Sequence, residues 1–157
     1  MRIFVALGMM CLGSMVALSQ TVPARPKLPP GFVDGSISPD QIPDHAAYRL
    51  IFIHLMGENA GNVQQPRVKQ ELRFAKVGLP DADVAVLKRH LGQFESRYSQ
   101  WSAQKGQKSS AAAETEVQTM VLATRDAVIR ELTPDGASKF IQHVQREKAH
   151  MIVRVVN

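Results

Sequence analysis

DADVAVLKRHLGQFESRYSQWSAQ, residues 81–104, is the segment whose reading decides the fold. Within it Val84, Leu87, Leu91, Phe94, Tyr98 and Trp101 follow one another in alternating steps of three and four. Side chains at that spacing share one face of an α-helix, so the segment predicts an amphipathic helix with a heptad-like apolar seam. Asp81 and Asp83 stand in its first turn, where carboxylates complement the partial positive charge of a helix N-terminus. The seam covers only about two and a half heptads, which favours packing inside a helical bundle over a free-standing coiled coil.

The stretches on either side repeat the helical period. Pro66 opens an expected second helix with Val68, Leu72 and Ala75 on one face, Phe74 beside them, and Gly78 at its C-terminal cap. Gly57 to Gln65 reads as a loop. Ahead of it, Ser38-Pro39-Asp40-Gln41 has capping-box character, Pro43 restarts the turn, and a helix is expected to about Met56. Tyr48, Ile51, Phe52 and Leu55 form its stripe, while Leu50, Ile53 and Met56 lie off the stripe. A helix apolar nearly all round belongs at the centre of a bundle or at an interface.

On the C-terminal side, Lys105 to Ser110 is a polar loop. A fourth helix is expected from about Ala111 to Leu132, with Val117, Met120, Val121, Thr124 and Val128 inward. Thr133-Pro134-Asp135 then supplies an N-cap, a first-position proline and an early carboxylate. The fifth helix is expected to reach about His150, with Ala137, Phe140, Ile141, Val144 and Met151 on one face. The β-branched tail leaves helix, strand and disorder all open for residues 152–157. The fold expected is a single all-α domain, a helical bundle of four to five helices over residues 38–157.

Residues 1–19 read as a cleavable export signal. Arg2 precedes an uncharged run from Ile3 to Gln20, and Ala17-Leu18-Ser19 offers a small-x-small cleavage site, with a second after Ala24. The apolar run is shorter than the ~20 residues of a spanning helix. A periplasmic or secreted chain with no stable membrane span is therefore expected. Cys11 is the single cysteine; it lacks lipoprotein spacing and leaves with the signal. Disulfides, thiolate nucleophiles and cysteine zinc sites are thereby excluded from the mature chain. Residues 20–37 form a proline-rich linker, with Pro23, Pro26, Pro29 and Pro30 favouring an extended spacer. The formal net charge of +5, lowered by one when Arg2 is removed, is a mild surplus that selects no partner by itself.

The best metal candidate is His143, Glu147 and His150, which step i, i+4, i+7 along one helix flank. Two imidazoles and a carboxylate suit zinc or copper with a water in the open position. The spacing is not that of His-Glu-x-x-His, and a solvated flank with a helix-end histidine accounts for the same residues. His45, His54 and His90 are isolated in sequence; His54 sits in an apolar run and, if buried, is the one placed to respond to acid.

No catalytic residue is expected. Gly-x-Ser-x-Gly is absent, and Gly57 and Gly61 lack the lysine and spacing of a phosphate loop. Asp81 with Asp83, and Glu114 with Glu116, fall in helix first turns, where capping explains them. Lys88, Arg89, Arg97, Lys105 and Lys108 make a basic tract near Tyr98 and Trp101. Those aromatics belong to the seam, however, and export points away from a genomic target, so nucleic acid is not an expected partner.

Leu132-Thr133-Pro134-Asp135-Gly136, with Leu79-Pro80-Asp81-Ala82-Asp83 as a second helix start, resembles the Leu-Thr-x-x-Gln helix openings of the periplasmic Spy/CpxP group. Gly136 stands where that pattern has Gln, and the second stretch keeps only the Leu. The resemblance implies a helical chaperone or a stress or metal sensor. The function expected is a non-enzymatic exported protein, chaperone-like or self-associating, that binds other proteins through apolar helix faces. Its candidate contact residues are Leu50, Ile53 and Met56 on the first helix and Trp101 on the seam, rimmed by Lys88, Arg89 and Arg97. The alternative is a metal-binding or metal-sensing envelope protein using His143, Glu147 and His150, with zinc or copper and no other cofactor.

Overall fold

Prolines set where the helices begin. The computed structural model describes residues 28–57, 66–107 and 109–155. The expected export signal with Cys11, the expected linker as far as Lys27, the loop residues 58–65, Lys108 and the last two residues lie outside the described residues. Pro39–Gln41 form only a 3-10 turn, and α1 runs Asp44–Met56. The break falls where Pro43 steers Ile42 into extended backbone, ψ 114°, so the early cap does not run into the helix. α2 (Pro66–Val77) ends before Gly78, whose φ of 76° is the left-handed conformation expected of a cap. α3 (Asp81–Gln104) follows Pro80, α4 is Ser110–Glu131, and α5 is Pro134–Lys148. The Ser109 and Thr133 side chains accept the Ala112 and Gly136 amides, capping α4 and α5.

The domain is all-α, a bundle of five helices with one small ribbon at its end. α4 packs against α1, α3 and α5, and α2 lies across α1 and α5. The seam is core: Leu87, Leu91, Phe94 and Trp101 are buried, with Val84 and Tyr98 half-buried beside them. Phe140, Tyr48, Phe52, Phe94, Tyr98 and Trp101 form an unbroken path of ring contacts, with centroids 5.2 to 6.0 Å apart. Each fully buried ring contributes about 1.5–3 kcal/mol by leaving water, so this path helps tie α5, α1 and α3 together.

Two expectations are corrected and one open question is decided. First, α2 buries Phe74 and Val77 and turns Leu72 and Ala75 outward. The larger apolar surface of Phe74 wins the inward face, and Lys88 lies over its ring at 5.0 Å. Second, α5 stops at Lys148, so Ala149 and His150 form a turn rather than helix. Third, the tail, left open between helix, strand and disorder, forms a strand over its first three residues. β2 (Ile152–Arg154) pairs antiparallel with β1 (Phe32–Asp34), Val33 opposite Val153. The linker expected over residues 20–37 therefore ends inside the folded domain. Gly35 permits the approach: its amide donates to the Met151 carbonyl at 2.8 Å, and a Cβ there would lie 1.8 Å from the Lys148 carbonyl oxygen. No helix among the described residues is long and apolar enough to cross a membrane.

Candidate functional site

α2 reaches over the C-terminal turn of α1 and fixes it. The last carbonyls of any helix lack partners within it. Here the Arg73 guanidinium donates to the His54 carbonyl at 2.7 Å, and the Gln70 side-chain amide donates to the Leu55 carbonyl at 3.3 Å. Arg73 thereby brings a cation to the negative end of the α1 dipole. Between α1, α2 and α5 this leaves a cleft of about 400 Å³.

Helical spacing supplies the walls. Leu50 and His54, one turn apart, come from α1 with Ile51 and Leu55; Arg73 and Lys76 come from α2; His143 and Glu147, again one turn apart, come from α5, with Met151 just beyond. Among the described residues the lining thus joins aliphatic side chains to two cations, two imidazoles and one carboxylate.

Both histidines are held toward their neutral forms. Desolvation pulls the pKa of buried His143 below its ordinary value; Glu147 opposes that pull, and Arg146, His54 and Lys76 add to it. Partial burial lowers His54 as well, with Arg73 and Lys76 acting the same way and Glu147 against. Near neutral pH the standing charge of the cleft is therefore Arg73 and Lys76 against Glu147. Such a surface can hold an aliphatic group beside an anion.

The structure does not assemble the expected metal ligands. Among the described residues no three His, Cys, Asp or Glu side chains are placed to hold a metal ion. His143 is buried and Glu147 lines the cleft, but His150 is exposed in the turn after α5 and is not part of its lining. The i+7 step needed a helix that ends two residues too soon.

The expected contact residues divide. Leu50 is 44 % exposed and lines the cleft, Ile53 is half-buried, and Met56 packs against the core. Trp101 is not a surface residue: it is 6 % exposed, and its indole N–H donates to the Ala113 carbonyl at 2.9 Å. The expected rim is also engaged within the chain. Lys88 pairs with Glu71 at 2.7 Å, and Arg89 pairs with Glu131. Arg97 is exposed and borders shallow grooves beside α3 and α4. His90 is buried with its Nε2 3.2 Å from Glu131, and His45 borders a separate hollow near Arg154.

Sequence reasoning missed Arg73 and Lys76. Their i, i+3 spacing was legible, but with Leu72 placed inward the cations had no reason to face α1. It also missed the buried Lys148, whose ammonium meets Asp44 at 2.8 Å, while Arg125 reaches the other Asp44 oxygen at 3.1 Å. No protein-family model, curated protein or solved structure matches this chain.

Proposed function

We propose that the chain is an exported, non-enzymatic helical protein that binds segments of other proteins in the manner of a chaperone, with the cleft of α1, α2 and α5 as its working surface. The observation that carries this reading is Leu50. It sits on the helix that supplies Tyr48, Ile51, Phe52 and Leu55 to the core, yet it stands 44 % exposed at a cleft of about 400 Å³. Apolar surface beside a concave polar site is what a binding face for another chain requires. Export rests on the charge and apolar pattern of residues 1–19, and the non-enzymatic reading on the lack of any nucleophile–base or acid–base motif in the sequence. The burial of Trp101 takes the seam out of this reading and leaves the first-helix residues as its support.

The test is client aggregation. Purified mature protein is expected to slow the aggregation of a chemically unfolded client, and Leu50→Glu, with its helical circular dichroism unchanged, is expected to lose most of that effect. A monomeric protein without influence on aggregation overturns the proposal.

A further inference from the structure

We infer that the cleft of α1, α2 and α5 recognises a peptide segment presenting an aliphatic side chain beside a carboxylate, and that it holds this segment more tightly in mildly acidic solution. This inference rests on the protein-binding reading above and names the chemistry of the segment. The aliphatic half follows from Leu50 and Met151, which leave apolar surface at the cleft beside the core residues Ile51 and Leu55, so that burying a ligand side chain there removes apolar area from water on both partners.

The carboxylate half follows from charge. Arg73 and Lys76 face the cleft from α2, and among the described residues the one acidic side chain in the lining is Glu147 from α5. No ion pair joins either cation to a carboxylate among the described residues. Arg73 spends one donor on the His54 carbonyl, and a guanidinium has five. A ligand carboxylate thus meets two cations with hydrogen-bonding capacity left, whereas an amide of the same shape leaves them uncompensated. Charge-assisted hydrogen bonds of this kind are about twice as strong as neutral ones.

The acid dependence follows from the histidines. His54 on α1 and His143 on α5 line the same cleft, with Lys76 and Arg73 opposite them on α2, and Glu147 and the neighbouring Arg146 on α5. Protonating either ring adds a positive charge without removing one. A bound carboxylate stabilises those imidazolium forms, so ligand and proton bind with positive coupling, each favouring the other by the same factor. A glutamate side chain, with its ordinary pKa of about 4.3, stays ionised at pH 5.5, so the ligand's own charge does not change over the window.

The experiment uses two fluorescent peptides of the mature chain's prospective ligand class, identical except that one alternates Leu with Glu and the other Leu with Gln, titrated by anisotropy at pH 7.5 and 5.5. The Glu peptide is expected to bind several-fold more tightly than the Gln peptide at pH 7.5, with the gap widening at pH 5.5. Lys76→Gln is expected to narrow the gap at both pH values, and His54→Gln to narrow its widening. Lys76 is exposed and His54 half in solvent, so both variants are expected to fold as the parent does. Equal binding of the two peptides, or a gap untouched by both substitutions, overturns the inference and leaves the protein-binding reading standing. Suppressed client aggregation without binding of either peptide overturns it as well, by placing the binding face elsewhere. Failure of both assays removes both readings.

Discussion

Asp83 in the first turn of α3 accepts the Thr133 hydroxyl at 2.6 Å and the Thr133 amide at 3.0 Å, although the two residues are 50 positions apart. Thr133 in turn accepts the Gly136 amide at 3.1 Å. The N-terminus of α5 is therefore capped twice, once by its own threonine and once by a buried carboxylate from another helix. This accounts for the glycine in Leu132-Thr133-Pro134-Asp135-Gly136. A Cβ at Gly136 would lie 2.0 Å from an Asp83 carboxylate oxygen.

Asp83→Ala is expected to cost about 2–3 kcal/mol, since it removes two hydrogen bonds to a charged acceptor and leaves the part-buried Thr133 amide without its partner. Gly136→Ala is expected to cost about 1–3 kcal/mol despite the better helix propensity of alanine, because the methyl and the carboxylate cannot share the space. In the Asp83→Ala background the same Gly136→Ala change is expected to be neutral or stabilising. Urea midpoints of the four proteins give the coupling; a glycine effect independent of Asp83 would show that the clash is relieved in some other way.

Lys148 and Asp44 make an unequal pair. The ammonium side chain is 5 % exposed and the carboxylate 49 % exposed. Removing the carboxylate leaves the buried charge without its partner, whereas removing the lysine leaves Asp44 in water and still paired with Arg125. Asp44→Ala is expected to cost about 2 kcal/mol, below the range for a fully buried pair because Asp44 is half in solvent, and Lys148→Met less than about 1 kcal/mol. The order of the two chemical-denaturation midpoints is the check, and the reverse order would mean that Lys148 holds the fold by more than its charge.

The helices were legible because their signals are local. The 84–101 seam, the Thr133 cap, Pro66 and Gly78 each act within a turn or two of where they stand. The rest depends on partners far away in sequence. The ribbon joins Val33 to Val153, and nothing near Val153 indicates a strand partner at the other end of the domain. Asp83 looked like an ordinary first-turn acid because Thr133 is not its neighbour in sequence. The face of α2 was misread because Leu72 and Phe74 sit about 200° apart on a helix wheel, and which of them turns inward is decided by α1 and α5. The metal trio failed for a local reason, the end of α5 at Lys148, that its β-branched tail only hinted at.

Trp101, the single tryptophan, reports on the core where the end of α3 meets the start of α4. It is buried against Tyr98, hydrogen-bonded to Ala113, and covered by Arg49 at 5.3 Å. Its emission is expected to be blue-shifted in the native protein and to move to the red on unfolding, in a transition that coincides with loss of helical circular dichroism. Separate transitions would show that α3 and α4 melt independently of the other helices.

Tyr48 sets an alkaline limit. Burial, with Asp44 next, pushes its pKa up from 10.0 to about 12, Arg125 acting against them and Asp126 with them. Between those values the unfolded chain gains from ionising and the folded chain does not, so this group's stabilisation is present below pH 10 and is lost as the pH rises toward 12. Tyr48→Phe is expected to flatten that loss in urea titrations from pH 9 to 11.5.

His54 and His143 set the corresponding limit in acid. Both pKa values lie below the ordinary 6.5, so on acidification the unfolded chain takes up protons before the folded chain does. Stability from these groups is whole above about pH 6.5 and falls as the pH drops through and below it. The urea midpoint of the protein is expected to decrease from pH 7.5 to 5.5, and to decrease less in His143→Gln, where the more buried ring is gone. A carboxylate ligand in the cleft reverses the argument, because it favours the imidazolium forms in the folded state alone. With saturating Leu-Glu peptide the midpoint is therefore expected to gain more at pH 5.5 than at 7.5. An equal gain at the two pH values would mean that the histidines take no part and that Arg73 and Lys76 alone provide the charge complement, and an equal or smaller gain in acid overturns the inferred acid dependence.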